Sequence, residues 1–134
     1  MPGYSGTPLP KKLGIKDDFR VHLVAAPAEV LAELEESLTH CQSVPAGKLP
    51  IDFAMVFTKS SKQLIKEFAR LSRQLAPAGI LWVSWPKKSS GVQTDLDDNA
   101  VRDIGLAAGL VDVKVCAVTG VWSGLKFVRR LKDR

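Results

Sequence analysis

Ile51-Asp-Phe-Ala-Met-Val-Phe57 is apolar at nearly every position. A strand with one solvated face alternates apolar and polar residues, whereas a strand covered on both faces does not, and such runs belong to parallel sheets. Working outward, the pattern repeats. Val21-His-Leu-Val-Ala-Ala-Pro27 lies upstream and Ile80-Leu-Trp-Val-Ser-Trp85 downstream, each followed by helical spacing. Residues 28–39 set Val30, Leu31, Leu34 and Leu38 on one stripe. A second helix starts at Ser60 or Ser61, both good caps, aligns Leu64, Ile65, Phe68, Leu71 and Leu75, and stops at Pro77 and Gly79. A third, over residues 95–108, aligns Val101, Ile104 and Ala108 before Gly109 ends it. Residues 40–50, with two prolines and a glycine, read as a connecting loop. Residues 111–118 and 125–131 read as a closing pair of strands joined by Thr119-Gly-Val-Trp-Ser-Gly124. The fold class is therefore α/β: a Rossmann-like mixed sheet of about five strands, three-layered or half-covered, mostly parallel with an antiparallel C-terminal hairpin.

A length of 134 residues suits one α/β domain, with residues 1–19 as an N-terminal extension. No run of about 18 apolar residues and no charged-then-apolar leader stands in the sequence, so a cytoplasmic protein with no membrane segment is expected. Cys41 and Cys116 are too few for a disulfide scaffold, and with His22 and His40 they show no ligand spacing, so no metal is expected. The net charge of +5 permits an anionic partner without requiring one, because the basic residues cluster at Lys11, Lys12 and Lys16, at Lys87 and Lys88, and at the end of the chain.

Right-handed crossovers constrain the layering. If the three parallel strands are neighbours in chain order, all three helices fall on one face. The opposite face then needs a lid, and a second subunit (a homodimer) is the expected one.

A dinucleotide-binding sheet carries glycines in the turn after its first strand. Here that turn reads Ala25-Ala-Pro27, which is expected to be too crowded for such a cofactor, so none is expected. Even so, Leu75-Ala-Pro-Ala-Gly-Ile-Leu-Trp-Val83, the following helix, Ala108-Gly-Leu-Val-Asp-Val and the final hairpin resemble the second half of a class I S-adenosylmethionine-dependent methyltransferase, over residues 50–131. The sequence departs from that family at the glycine turn, and no acidic residue ends a second strand to hold a ribose. Gly3-Tyr-Ser-Gly-Thr-Pro-Leu9, Trp85-Pro-Lys-Lys-Ser-Ser-Gly91, Gly105-Leu-Ala-Ala-Gly-Leu-Val-Asp-Val-Lys-Val-Cys116 and Trp122-Ser-Gly-Leu-Lys-Phe-Val-Arg-Arg130 are similar to a bacterial domain-of-unknown-function family, the one numbered three-thousand-fifty-two. That second resemblance implies no activity.

Ligands of open α/β sheets bind outside the carboxyl ends of the strands. On this rim the candidates are Lys59, Ser60, Ser61, Lys87, Lys88, Ser89, Ser90 and Trp122. Lysines, hydroxyls and helix N-termini suit a small anion such as a phosphate or carboxylate, and Trp122 suits a flat ligand. The bland readings stand beside these. Lys87-Lys-Ser-Ser-Gly is also an ordinary solvated loop and lacks the P-loop order. His22, inside a strand, reads as a satisfied sheet histidine. Asp95, Asp97 and Asp98 suit a helix start. Ser60 and Ser61 have no histidine partner for a nucleophilic triad. Trp82 and Trp85, three apart on a strand, point to opposite faces, one to the core and the other toward the rim. Gly105-Leu-Ala-Ala-Gly109 is helix packing with a terminator.

The leading reading is a non-catalytic binding or regulatory module for a small anion or a protein partner. The alternatives are an enzyme binding S-adenosylmethionine or a nucleotide through an altered first turn, and a nucleic-acid binder using Lys11, Lys12, Lys87, Lys88 and the basic residues 129–134.

Overall fold

A computed structural model describes residues 7–47 and 50–134; most of the Gly3-Tyr-Ser-Gly-Thr-Pro-Leu9 opening lies outside the described residues. The elements are α1 (Leu9–Leu13), β1 (Arg20–Val24), α2 (Ala28–Leu38), β2 (Gln42–Ser43), β3 (Ile51–Phe57), α3 (Ser61–Gln74), β4 (Leu75–Pro86), α4 (Asp98–Ala107), β5 (Leu110–Ala117) and β6 (Trp122–Arg129). They form a six-stranded sheet in the order β2-β1-β3-β4-β6-β5. The first four strands are mutually parallel, and β6 is antiparallel to both β4 and β5. β5 therefore runs parallel to β4, and the β5–β6 turn lies on the carboxyl rim.

The strand that the sequence reading misses is β2, two residues long and too short to show alternation. It corrects the layering. β1, β3 and β4 are neighbours in chain order, yet α2 leads outward to β2 while α3 leads inward to β4. Right-handed crossovers in opposite directions put their helices on opposite faces. One core accordingly joins α3 and α4 to Ala54, Val56, Leu81, Val83, Leu125 and Phe127. The other joins α1 and α2 to Phe53, Met55, Phe57 and Trp82. The face expected to need a second subunit as lid is covered, over β1, β3 and β4, by helices of the same chain.

Both tryptophans of β4 are buried, so neither reaches the rim. Trp82 donates its indole N–H to the Leu13 carbonyl at 2.8 Å, tying α1 to the centre of the sheet. β4 begins directly after α3, earlier than the proline and glycine suggest, because residues 76–79 loop out within a register shift opposite Ile51 and Phe53. Arg129 of β6 donates to the carbonyls of Ser72 and Leu75, closing the C-terminal end of α3, so it is no part of a free basic tail. No helix among the described residues is long and apolar enough to cross a membrane.

Gly105 lets α4 lie on β6: a Cβ there would sit 2.0 Å from the Phe127 ring. That ring meets Phe68 edge-on at 5.1 Å between centroids, so it has no room to retreat. Gly105→Ala is expected to lower the unfolding free energy by about 1–3 kcal/mol, read as a lower urea midpoint at unchanged slope.

Candidate functional site at the carboxyl rim

The chain leaves β1 in one direction and β3 in the other, so the two backbones diverge at their carboxyl ends. This is the switch point at which open α/β sheets bind ligands. β1 runs into α2 through Ala25, which takes φ +56°, the left-handed region. For an alanine that conformation costs roughly 1–2 kcal/mol. The turn expected to be too crowded thus holds Ala25 in a conformation that glycine favours, with its side chain exposed to solvent. Pro27 is the N-cap of α2, and among the described residues no side chain caps the first amides of that helix.

At α3 the arrangement is reversed. Ser60 Oγ accepts from Gln63 N, and Asp95 accepts from Ser61 N at 2.8 Å and from Ser61 Oγ at 2.6 Å. Thr94 Oγ1 donates to the Lys59 carbonyl, which fixes Asp95 over the helix end. Of the amides that the sequence reading offers to an external anion here, that of Ser61 is taken by the Asp95 carboxylate and that of Gln63 by the Ser60 hydroxyl. The Ser61 hydroxyl and then the Ser61 amide hold the Asp95 carboxyl below its ordinary range. Sequence reasoning treats Asp95 as the opening of the third helix, whereas α4 begins at Asp98, capped by Asp97 Oδ1 accepting from Ala100 N. Its partner stands 34 residues away, so no local signal marks Asp95 as a lid on α3.

The remaining candidates gather around the β5–β6 turn. Lys87 N donates to the Val121 carbonyl, and the Ser90 hydroxyl donates to the Lys87 carbonyl. Lys88–Ser90 forms a single 3-10 turn ended by Gly91 at φ +75°. Lys88 and Ser89 are exposed, and Lys87 and Ser90 half-buried. Trp122 is half-buried, its ring edge-to-face with Phe57 at 5.2 Å, so it braces the sheet as well as facing the rim. The eight candidates thus form two groups, Lys59, Ser60 and Ser61 beneath Asp95 and the other five at the hairpin. A cavity of about 450 Å³ on the α1 and α2 side is lined by none of them; Leu9, Lys12, Glu29, Ala32, Ala117 and Thr119 bound it.

His22 is satisfied in the sheet, with Nδ1 2.9 Å from the Val44 carbonyl and Nε2 facing Arg70 Nη1 at 3.5 Å. Burial pushes both the Cys41 and Cys116 thiols up. Among the described residues no three His, Cys, Asp or Glu side chains are placed to share a metal ion.

No family model matches the chain, and no curated protein matches it. Solved structures do. LepI in complex with SAM superposes at TM-score 0.60 and 9% identity, over 92% of this chain and 47% of LepI. A putative methyltransferase from Thermoplasma acidophilum gives TM-score 0.58 at 8% identity, over 92% of this chain and 75% of that one. A SAM-dependent methyltransferase from Aquifex aeolicus gives 0.54 at 16% identity, over 87% and 85%. The chain spans about half the length of LepI. The likeness is one of fold: this is a Rossmann-like methyltransferase fold.

Two predictions follow from the two helix ends. Ala25→Gly relieves the left-handed strain and is expected to raise the unfolding free energy by about 1 kcal/mol in urea titration. Asp95 has a folded-state value below its unfolded one, so its contribution is present above about pH 4 and is lost as pH falls through the lower, folded value. Asp95→Asn should therefore be less stable than the parent at neutral pH, and the gap between their urea midpoints should close on acidification.

Proposed function

We infer that the chain binds S-adenosylmethionine, or a nucleotide of similar size, at the turn between β1 and α2. This replaces the non-catalytic anion module that the sequence alone favours. The observation that carries it is the left-handed Ala25 at the switch point, which supplies with alanine the backbone course this site requires. The fold shared with a SAM-dependent methyltransferase and with LepI bound to SAM supports the same reading.

The residues fit the cofactor in part. The backbone of residues 25–27 and the first amides of α2, uncapped by any side chain, would hold its anionic end. A dinucleotide fold also places a carboxylate about 20 residues further on for the ribose. In this chain β2 ends there at Ser43, and Pro45, which has no N–H, follows close behind. Without the carboxylate the affinity should be modest. When bound, the cofactor supplies an electrophilic methyl group. His22 is engaged with Val44 and Arg70. The reading offered is one of cofactor binding.

Calorimetric titration with S-adenosylmethionine, S-adenosylhomocysteine and ATP tests it. Saturable binding of one of them, at a dissociation constant of roughly 1–100 μM, is the expected result. Ala25→Val, which forces a β-branched residue into the left-handed region, should abolish binding while circular dichroism still reports a folded chain. Absence of heat with all three ligands at millimolar concentration would refute the reading.

A further inference from the structure

Among the described residues, the sheet face under α1 and α2 is not covered to its edge. α2 lies over β1 and β3, and only the five-residue α1 reaches toward the β5–β6 corner. On that corner Lys114 and Lys126 are directly opposite each other on neighbouring strands. Like charges in that relation repel. The register shift between Asp112 and Lys114 creates the pairing: without it Lys114 would share a face with Asp112, which is bound to Arg102 on the other side of the sheet. Lys126 faces the same way as Trp82, its partner on β4, and is half-buried. Burial first, then Lys114 and Lys16, hold its ammonium below the ordinary lysine value. Lys12 stands at the border of the patch, its Nζ donating to the Ala117 carbonyl. Among the described residues, Lys16, Lys114 and Lys126 have no carboxylate within ion-pair distance.

The complementary surface is in the same chain. α2 reads Ala-Glu-Val-Leu-Ala-Glu-Leu-Glu-Glu-Ser-Leu, four glutamates and no basic residue. Val30 and Leu34 face the core, which leaves Ala28, Glu29, Ala32 and Glu36 exposed, Glu29 and Ala32 along the open cleft toward Lys12 and Thr119. Ala32, between Glu29 and Glu36, permits close approach there. α2 and the lysine corner lie side by side on one face of the sheet. A two-fold axis parallel to that face carries each α2 onto the other copy's corner, so a single operation satisfies both contacts and closes the assembly.

We propose that two copies of this chain associate face to face, the outer Glu29–Glu36 side of α2 in one copy seated on Lys16, Lys114 and Lys126 of the other. A single-stranded nucleic acid fits this corner less well, because the rings on this face, Trp82, Phe53 and Phe57, are buried and offer no stacking platform. The acidic surface begins on the first turn of α2, beside the proposed cofactor site, whereas Lys114 and Lys126 lie on β5 and β6, away from it, so the lysine variants test the association separately from cofactor binding.

Light scattering and sedimentation of the full chain test it. The parent should be dimeric at tens of micromolar and dissociate as salt rises from about 0.1 M, where the screening length is about 10 Å, to about 1 M, where it is about 3 Å. Lys114→Glu with Lys126→Glu should raise the dissociation constant at least about tenfold, and so should Glu29→Lys with Glu36→Lys on the other surface. Each double variant should be monomeric alone, and mixing the two should restore a heterodimer held by one native contact and one charge-swapped contact. Because the variants alter different elements, failure of one pair to fold leaves the other as the test. A parent that is monomeric at low salt, a dimer indifferent to both pairs of substitutions, or a monomer whose lysine corner instead retains heparin or oligo-dT would each overturn the proposal.

Discussion

The handedness of two crossovers organises this molecule. From β1 the chain moves outward through α2 to β2; from β3 it moves inward through α3 to β4. Both connections are right-handed, so moving in opposite directions places α2 and α3 on opposite faces. The central strand is then covered twice. Phe53, Met55 and Phe57 enter one core, and Ala54 and Val56 enter the other, which is why Ile51–Phe57 has almost no polar position. The same reversal parts the backbones beyond β1 and β3, next to Ala25. Shape of core and location of site are two consequences of one topological fact.

Much of this was legible in the sequence. The strands, the three long helices and the antiparallel closing pair follow from apolar period and turn chemistry, which are local. The layering was not, because it depends on β2, and two residues joined to Arg20 and Val21 carry no period. Without β2 the crossover direction of α2 is undetermined, and an expectation of three helices on one face results. Residues 44–47 lie on the α3 side, where Val44 is buried and Gln74 holds Gly47 N and the Pro45 carbonyl; the prolines of this stretch predict a loop but not its face.

The site was legible as a place and not as a set of contacts. Trp122 and the lysine–serine loop do stand on the rim, but their partners are distant in the chain. Asp95 reaches Ser61 across 34 residues, and Lys87 N reaches Val121 across the hairpin. Ala25 escaped for a different reason. Glycine advertises a positive φ, whereas alanine in the same conformation looks like any turn residue, so the absent glycines read as an absent geometry. The opposed Lys114 and Lys126 were hidden by a register shift that no composition reveals.

The two helix ends at the rim are not equivalent, and the difference bears on where an anionic group would go. A helix N-terminus carries a partial positive charge and unpaired N–H groups. At α3 both are spent on Asp95, whose full negative charge, fixed by Ser61, repels a second anion approaching the same amides. α4 is likewise closed by Asp97. At α2 the capping position is a proline, which has neither an acceptor side chain nor an N–H. A strained left-handed residue stands just before it, and such strain persists only where the surrounding structure imposes it. Here β1 and α2 impose it, as β1 is paired to β3 from Val21 to Val24 and α2 is anchored by Val30 and Leu34. The N-termini of α3 and α4 are thus closed by side-chain caps of the chain itself, while α2, which carries Glu29 in its first turn, has no capping side chain at the end beside the switch point.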